Sequence, residues 1–268
     1  KAKDIGLGDK VLTQALYNFA NGTARQFLLG MLCGDSHISV PRGYNTGYLI
    51  VQDNADPDYA AWKIDKLAPF LPFTSSKTSR GTLKYRSKGS YELKELKETF
   101  GERDPAVMLD EFSPLSLAVW YMDDGTFDTQ DSHYRASISV KRFKNQPEKL
   151  ERIKQRLADN GLQVRFDKEG SIIFDKVNTH KLFQLIAPYV PPCMNRKLGD
   201  EYRNEYSDFT LVSEPKRVPV FTDIQEIRTA SKRQMRTRGR YDITVEGNHN
   251  YLVGSATNGV LVHNSPDT

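Results

Sequence analysis

Two short apolar stretches of this chain end in carboxylates. Leu117-Ala118-Val119-Trp120-Tyr121-Met122-Asp123-Asp124-Gly125 follows Ser113-Pro114, a helix start with a capping hydroxyl and a proline at the first helical position. It closes on Gly125, a residue suited to the position just past a helix end. The acids therefore fall at a helix C-terminus, where the dipole is already negative, and a carboxylate placed there calls for a nearby cation. Leu28-Leu29-Gly30-Met31-Leu32-Cys33-Gly34-Asp35-Ser36 repeats the device, with Asp35 in the place of Asp124. Thr23, with Gln26 three residues on, predicts a capping box at its start. One core helix ending in solvated acids is ordinary, whereas two with matching offsets point to an internal repeat.

The elements that must position these acids also repeat. After the first apolar helix, strands over 37–40 and 48–52 flank a turn containing Pro41, Gly43, Asn45 and Gly47. A helix over 57–71 follows, with Tyr59, Trp62, Ile64 and Leu67 as its expected buried positions. Strands over 73–78 and 82–87 and a helix over 91–100 close the first half. In the second half the pattern predicts strands over 126–128 and 134–141, then a helix over 147–160 with Leu150, Ile153 and Leu157 at helical spacing. A hairpin of 163–167 with 171–174, turning at Lys168-Glu169-Gly170, and a helix over 178–187 complete it. The fold class is α/β (α+β), built from two pseudo-two-fold halves of order αββαββα.

Pro191-Pro192, Pro215 and Pro219 punctuate the exit, and the texture then turns to short β-rich segments over 220–227, 241–245, 251–253 and 260–262. A basic loop from Lys232 to Arg240 interrupts them. This places a domain boundary at 205–218. Residues 1–20 read as a loop, a Gly-Asp turn and a strand, too short for a core of their own, and are expected to be the remnant of something that began earlier.

Composition narrows the class. With 38% hydrophobic and 27% charged residues the chain reads as a soluble globular protein. A net charge of +4 permits a nucleic-acid partner without demanding one. Cys33 and Cys193 are too few for a disulfide framework or a four-ligand zinc site, and Cys33 sits in an apolar helix pattern as a core residue. No apolar run is long enough to span a bilayer and no secretory signal is present, so no membrane partner and a cytoplasmic setting are expected.

The two nonapeptides resemble the signature helices of the LAGLIDADG homing endonucleases, the second in the form of the WYMDDG branch. Ser36 departs from the usual final glycine of the first motif, and Val119 and Asp123 occupy positions usually held by small residues. The resemblance implies that the eighth positions, Asp35 and Asp124, are catalytic metal ligands. Mg²⁺ suits such a site, because it binds a few carboxylates together with waters and phosphate oxygens. Asp123 is expected behind these ligands or on the surface. Met194-Asn195-Arg196-Lys197-Leu198 resembles the family segment that carries an active-site lysine, which makes Lys197 catalytic. The matching place in the first half, near Arg103, reads as a solvated charge.

Double-stranded DNA is the implied partner, met by the polar faces of the strands and bound by a monomer. Period two puts Lys84, Arg86 and Lys88 on one face. Gln52 shares a face with Tyr48 and Ile50, Ser139 and Lys141 share one with Ser137, and Gln163 and Arg165 share one with Asp167. Arg42 and Arg142 add charge beside these strands. A β-ribbon of this kind fits a major groove, its bases holding phosphates and its Gln, Arg and Ser side chains reading base edges.

The C-terminal stretch carries another chemistry. Tyr241-Asp242-Ile243-Thr244-Val245-Glu246-Gly247-Asn248-His249-Asn250, followed by Gly259-Val260-Leu261-Val262-His263-Asn264-Ser265, closely resembles the two C-terminal blocks of inteins. The resemblance implies an all-β Hint-type splicing segment over 209–264, with residues 265–268 as host sequence. The side-chain amide of Asn264 can attack its own main-chain carbonyl, cutting the chain as a succinimide forms. His263 can polarise that carbonyl or supply a proton, and the Ser265 hydroxyl can take an acyl group. Asp242 and His249 assist by resemblance. Ala2-Lys3-Asp4-Ile5 and Gly8-Asp9-Lys10-Val11 resemble the intein segment just before an inserted endonuclease. An intein's first Cys or Ser and its Thr-x-x-His block are missing, so splicing is expected only in trans with an N-terminal intein fragment.

The expected domains are thus 1–20, a splicing remnant; 21–208, an endonuclease with halves at 21–110 and 111–208; and 209–264, the C-terminal splicing part. The expected function is an intein-encoded double-strand homing endonuclease using Mg²⁺. Two alternatives stand beside it: a splicing fragment whose endonuclease has decayed to DNA binding alone, and an RNA-binding maturase.

Overall fold

The structure, a computed structural model, describes residues 10–52, 56–79, 81–101, 104–111, 113–130, 133–223, 250–254 and 259–263. The chain divides into two compact units. The smaller comprises the chain up to Tyr17 together with the chain from Pro215 onward, and its first strand is β1 (Lys10–Tyr17). The larger, Asn18–Glu214, begins with α1 (Gly22–Cys33), β2 (His37–Ser39), β3 (Tyr48–Gln52), α2 (Pro57–Leu67), β4 (Phe73–Lys77), β5 (Leu83–Ser87) and α3 (Tyr91–Phe100). A connector, α4 (Pro105–Met108) with a 3-10 turn over Leu109–Glu111, leads to α5 (Pro114–Asp124). The order then repeats as β6 (Gly125–Asp128), β7 (Arg135–Ser139), α6 (Pro147–Asp159), β8 (Arg165–Phe166), β9 (Ser171–Phe174) and α7 (Lys176–Ile186).

Each half therefore reads αββαββα, and the sheets match: β2-β3-β5-β4 in the first half and β6-β7-β9-β8 in the second, antiparallel throughout. The register sorts side chains by face. Ser39, Tyr48, Gln52, Lys84 and Arg86 align across the first sheet, and Thr126, Asp128, Arg135, Ser137 and Arg165 across the second. The opposite faces carry Ile38, Leu49 and Val51, and Ala136, Ile138, Ile172 and Phe174, all in the core. Residues 28–33 of α1 and 115–122 of α5 are buried without interruption, as expected of helices enclosed on all sides.

Some local readings are corrected. α1 has no side-chain cap; Thr23 Oγ1 instead accepts from Val212 N at 2.7 Å. α2 ends at Leu67 rather than residue 71, and its buried positions are Tyr59, Ala60, Lys63 and Leu67, with Trp62 and Ile64 only half-buried. The strand expected over 134–141 stops at Ser139, where a 3-10 turn over Lys141–Phe143 begins. The strand expected over 163–167 shrinks to β8.

In the smaller unit β1 runs antiparallel to β10 (Lys216–Asp223) from Lys10↔Asp223 to Tyr17↔Lys216. β11 (Asn250–Gly254) and β12 (Gly259–His263) form a hairpin, and the sheet order is β10-β1-β12-β11. Pro219, read from sequence as a break, lies inside β10, which an edge strand tolerates because a missing N–H there removes no central ladder bond. The strand expected over 241–245 and the basic loop around Lys232 lie outside the described residues. No helix among the described residues is long and apolar enough to cross a membrane.

One buried acid anchors the start of the larger unit. Glu92, in the first turn of α3, accepts from Asn18 N and Phe19 N, each at 2.7 Å. Burial pushes its carboxyl up to about 7, against the pull of those two donors and of Arg25. A carboxyl raised in the folded state contributes stability that is fully present below its ordinary value and lost as pH rises through the folded one. Wild-type stability should therefore fall between pH 4.5 and about 7 relative to Glu92→Gln, by on the order of 1–3 kcal/mol, in urea titrations at stepped pH.

Candidate functional site

The site grows from the crossing of α1 and α5. At Gly30 an added Cβ would lie 2.5 Å from Ser116 O and 2.8 Å from the Val119 Cβ, so this position admits nothing larger than glycine without a shift. A Cβ at Gly34 would overlap the Asp123 carboxylate. The start of α5 is fixed by a reciprocal cap, in which Ser113 Oγ accepts from Ser116 N at 3.1 Å and Ser116 Oγ accepts from Ser113 N at 3.0 Å. At its end Gly125 has φ −85°, not the left-handed turn expected of a helix-terminal glycine. Glycine is needed there for another reason, since a side chain would strike the Tyr121 ring and carbonyl.

This crossing brings three acids to adjacent helix ends. Asp35 is exposed and Asp124 half-buried, while the Asp123 side chain is only 1% exposed. Asp123 is thus neither on the surface nor solvated: it pairs with Lys63 Nζ at 2.8 Å and accepts from Asp35 N at 3.1 Å. Lys63 is itself 4% exposed and lies 4.4 Å from the centre of the Tyr59 ring.

Lys197 caps α5. Its ammonium donates to Met122 O and to Asp123 O at 3.4 Å, while its own carbonyl accepts from Tyr121 Oη at 2.8 Å. Burial lowers the Lys197 pKa, opposed by the pull of Asp123, Asp124 and Asp35 and reinforced by Arg196. The lysine therefore feels all three acids. Arg142 does the corresponding work for α1, donating to Cys33 O at 2.8 Å. Cys33 and Met122 hold the same place in their nonapeptides, so each motif helix ends against a cation from the second half. Burial pushes the Cys33 thiol up, consistent with a packing role.

A cavity of about 120 Å³ opens between these groups, lined by Asp35, Gln52, Lys63, Asp123, Met194 and Lys197 among others. Among the described residues no three His, Cys, Asp or Glu side chains converge into a complete cage. The accessible carboxylates of Asp35 and Asp124 fit a hard cation that keeps waters and takes phosphate oxygens for its remaining positions. They do not fit a zinc-type site, which asks for four protein ligands or three and a water.

The residues read as DNA contacts are spread over the two polar faces. Arg86 is exposed and stacks on the Tyr48 ring at 3.9 Å, with Lys84 beside it on β5. Lys88 lies just beyond β5 and Arg42 in the β2–β3 turn, both exposed. Ser139 and Arg165 are exposed on β7 and β8. Gln163 precedes β8, its N–H held by Asn178 Oδ1 at 2.8 Å. Lys141 belongs to the 3-10 turn, not to the alternating strand. Gln52 lies at the cavity beside Asp35. In the second sheet a wider concavity is lined by Thr126, Asp128, Arg135, Ser137, Arg165 and Asp167, with Arg135 paired to Asp128 at 2.8 Å. Asp242, His249, Asn264, Ser265 and Arg103 lie outside the described residues, and His263 ends β12 opposite Asn250.

Sequence reasoning missed Lys63, the ion pair of Arg196 with Asp56 at 2.7 Å, and the capping role of Arg142. For Lys63 a signal existed: it stands four residues after Tyr59 and four before Leu67, on the buried stripe of α2.

The sequence pattern of the LAGLIDADG DNA endonuclease family matches residues 25–182, from α1 to α7 and across both motif helices. The chain belongs to this family. LAGLIDADG proteins are metal-dependent DNA endonucleases. The fold is also that of the homing endonuclease I-WcaI, solved bound to its DNA recognition sequence, at 19% identity and a TM-score of 0.55 over 66% of this chain and 85% of that one. Among curated proteins the chain is 32% identical over its whole length to RecA of Mycobacterium gastri, covering 67% of it. It is 30% identical to RecA of Mycolicibacterium chitae, covering 66%. The chain spans about two thirds of the length of these relatives.

The glycine crossing is open to direct test. Gly30→Ala should cost about 1–3 kcal/mol of stability through overpacking against the Ser116 backbone. Denaturant melting of the variant beside wild type measures it.

Proposed function

We propose that the chain is a site-specific, double-strand homing endonuclease carried within an intein of a RecA-type host. The observation that carries the nuclease half is the pair of motif helices that cross at Gly30 and present Asp35 and Asp124 beside Lys197. Asp35 and Asp124 would hold the divalent cation and the polar sheet faces the duplex, with one chain supplying both halves as a monomer. When bound, Mg²⁺ would supply charge stabilisation for hydrolysis of the phosphodiester. The protein's own part is to fix the carboxylates, orient the duplex, and set the Lys197 charge where negative charge grows on the phosphate. The partly desolvated lysine is also suited to passing a proton to the leaving oxygen.

The intein half rests on the resemblance of Asp242, His249, His263, Asn264 and Ser265 to splicing blocks, and on full-length similarity to proteins named RecA. In this reading Asn264 Nδ2 bonds to its own carbonyl carbon, the peptide bond to Ser265 breaks, and the released amine takes a proton that His263 can supply. Before that cleavage Ser265 Oγ takes the acyl group from an ester or thioester at the N-terminal splicing junction, whose own hydroxyl or thiol leaves as it takes up a proton. The strands β1, β10, β11 and β12 form part of the Hint-type domain.

Duplex DNA spanning an uninterrupted recA insertion point tests the nuclease. Wild type should cut both strands with Mg²⁺ and neither with EDTA, and Asp35→Asn and Asp124→Asn should each lose about 100-fold or more in rate while still shifting the DNA in gels. Unchanged cleavage by Asp124→Asn would remove the metal assignment. For splicing, addition of an N-terminal intein fragment should release the residues after Asn264, and Asn264→Ala should abolish that release by mass spectrometry.

A further inference from the structure

The two motif helices are not equivalent at their seventh positions. The first carries Gly34, which packs against Asp123 and has no side chain to reach across. The second carries Asp123, whose Oδ2 accepts the Asp35 N–H from the opposite half. Its other oxygen, Oδ1, is taken by Lys63. Both partners of the ion pair are almost wholly buried, and Lys63 is steadied by the face of Tyr59, whose hydroxyl in turn donates to Val119 O at 3.3 Å. A buried ion pair is a weak source of net stability, because desolving two charges offsets their attraction. It is better suited to fixing one arrangement, since every alternative leaves a buried charge unpaired.

We infer that Asp123 and Lys63 are positioning residues. The Lys63-held carboxylate of Asp123 fixes the backbone at Asp35, and so sets where the first motif's metal-binding acid stands. At the same position the first motif carries Gly34, which has no side chain to hold the second motif's backbone in this way. The two strand-cutting centres are therefore supported unequally. Loss of the Asp123 acceptor should loosen the Asp35 centre and leave the Asp124 end, which Lys197 caps, less affected. This inference rests on the endonuclease reading.

The test uses the full chain and charge-balanced double variants, because removal of one partner alone would strand a buried charge. Lys63→Met with Asp123→Leu removes both charges and the acceptor at similar volume. Lys63→Met with Asp123→Asn removes the charges but keeps an oxygen for the Asp35 N–H. Global melting identifies the folded protein. In the leucine pair, exchange of the Asp35 amide should speed by about 10-fold or more while the core of α1 stays protected, as loss of one hydrogen bond to a charged group predicts. Cutting of one strand, the strand most impaired by Asp35→Asn, should fall about 10-fold further than the other, so that nicked DNA accumulates. The asparagine pair should recover most of both effects. An Asp35 amide that stays protected in the leucine pair, or equal slowing of both strands, overturns the inference. If wild type cuts neither strand, the endonuclease reading fails, and the amide exchange still decides the positioning role.

Discussion

Everything at the candidate site follows from negative charge gathered at the negative ends of two helices in contact. Asp35, Asp123 and Asp124 end α1 and α5, and the helix dipoles oppose each of them. The arrangement survives because cations arrive from elsewhere in the fold. Lys63 neutralises Asp123 inside the interface, while Lys197 and Arg142 sit on the last-turn carbonyls of the two helices. Asp35 and Asp124 bring two further carboxylates to the same helix ends. The close approach that creates this concentration of charge depends in turn on the absence of side chains at Gly30 and Gly34.

The two halves share one strand order but divide the labour around the crossing. The second half provides both helix-capping cations, Lys197 after α7 and Arg142 after β7. The first half provides Lys63 from α2 and Gln52 from the end of β3. The sheet faces differ as well. On the first, Arg86 lies over Tyr48, an exposed guanidinium kept in place by an aromatic ring. On the second, Arg135 is paired with Asp128. On the duplex partner proposed above, unlike faces would let each half meet a different half-site.

The repeat, the element order and the positions of Asp35 and Asp124 at helix ends were legible from residue pattern, because apolar periodicity and capping are local properties. β3, α3 and β9 keep their predicted limits for the same reason. What escaped was decided by partners distant in sequence. Asp123 was expected behind the ligands or on the surface, and only the packing of α2 on α5 brings Lys63 to it and decides between the two. Thr23 and Gln26 offered a capping box, but the Val212 backbone took the threonine hydroxyl. Gly125 was placed just past the helix end, where it stands, but contact with Tyr121 is what excludes a side chain there. Period two failed at Lys141 because the strand had already ended.

The order of the chain also bears on how its two units share it. β1 and β10 pair along their full length, so Tyr17 and Lys216, the exit and re-entry points of the smaller unit, are neighbours. Within the larger unit the matching ends are tied together independently, with Ser213 Oγ donating to Asn18 O and Glu214 N donating to Asn21 Oδ1 at 3.0 Å. A unit whose ends meet can be inserted between adjacent strands of another without straining either. The larger unit also has a hydrophobic core of its own, running from Phe19 to Leu211. Insertion then asks little of either energetically, since each side closes its own junction with its own hydrogen bonds. The residues proposed for DNA cutting, Asp35 and Asp124, and the one proposed for chain cutting, Asn264, thus fall in different units.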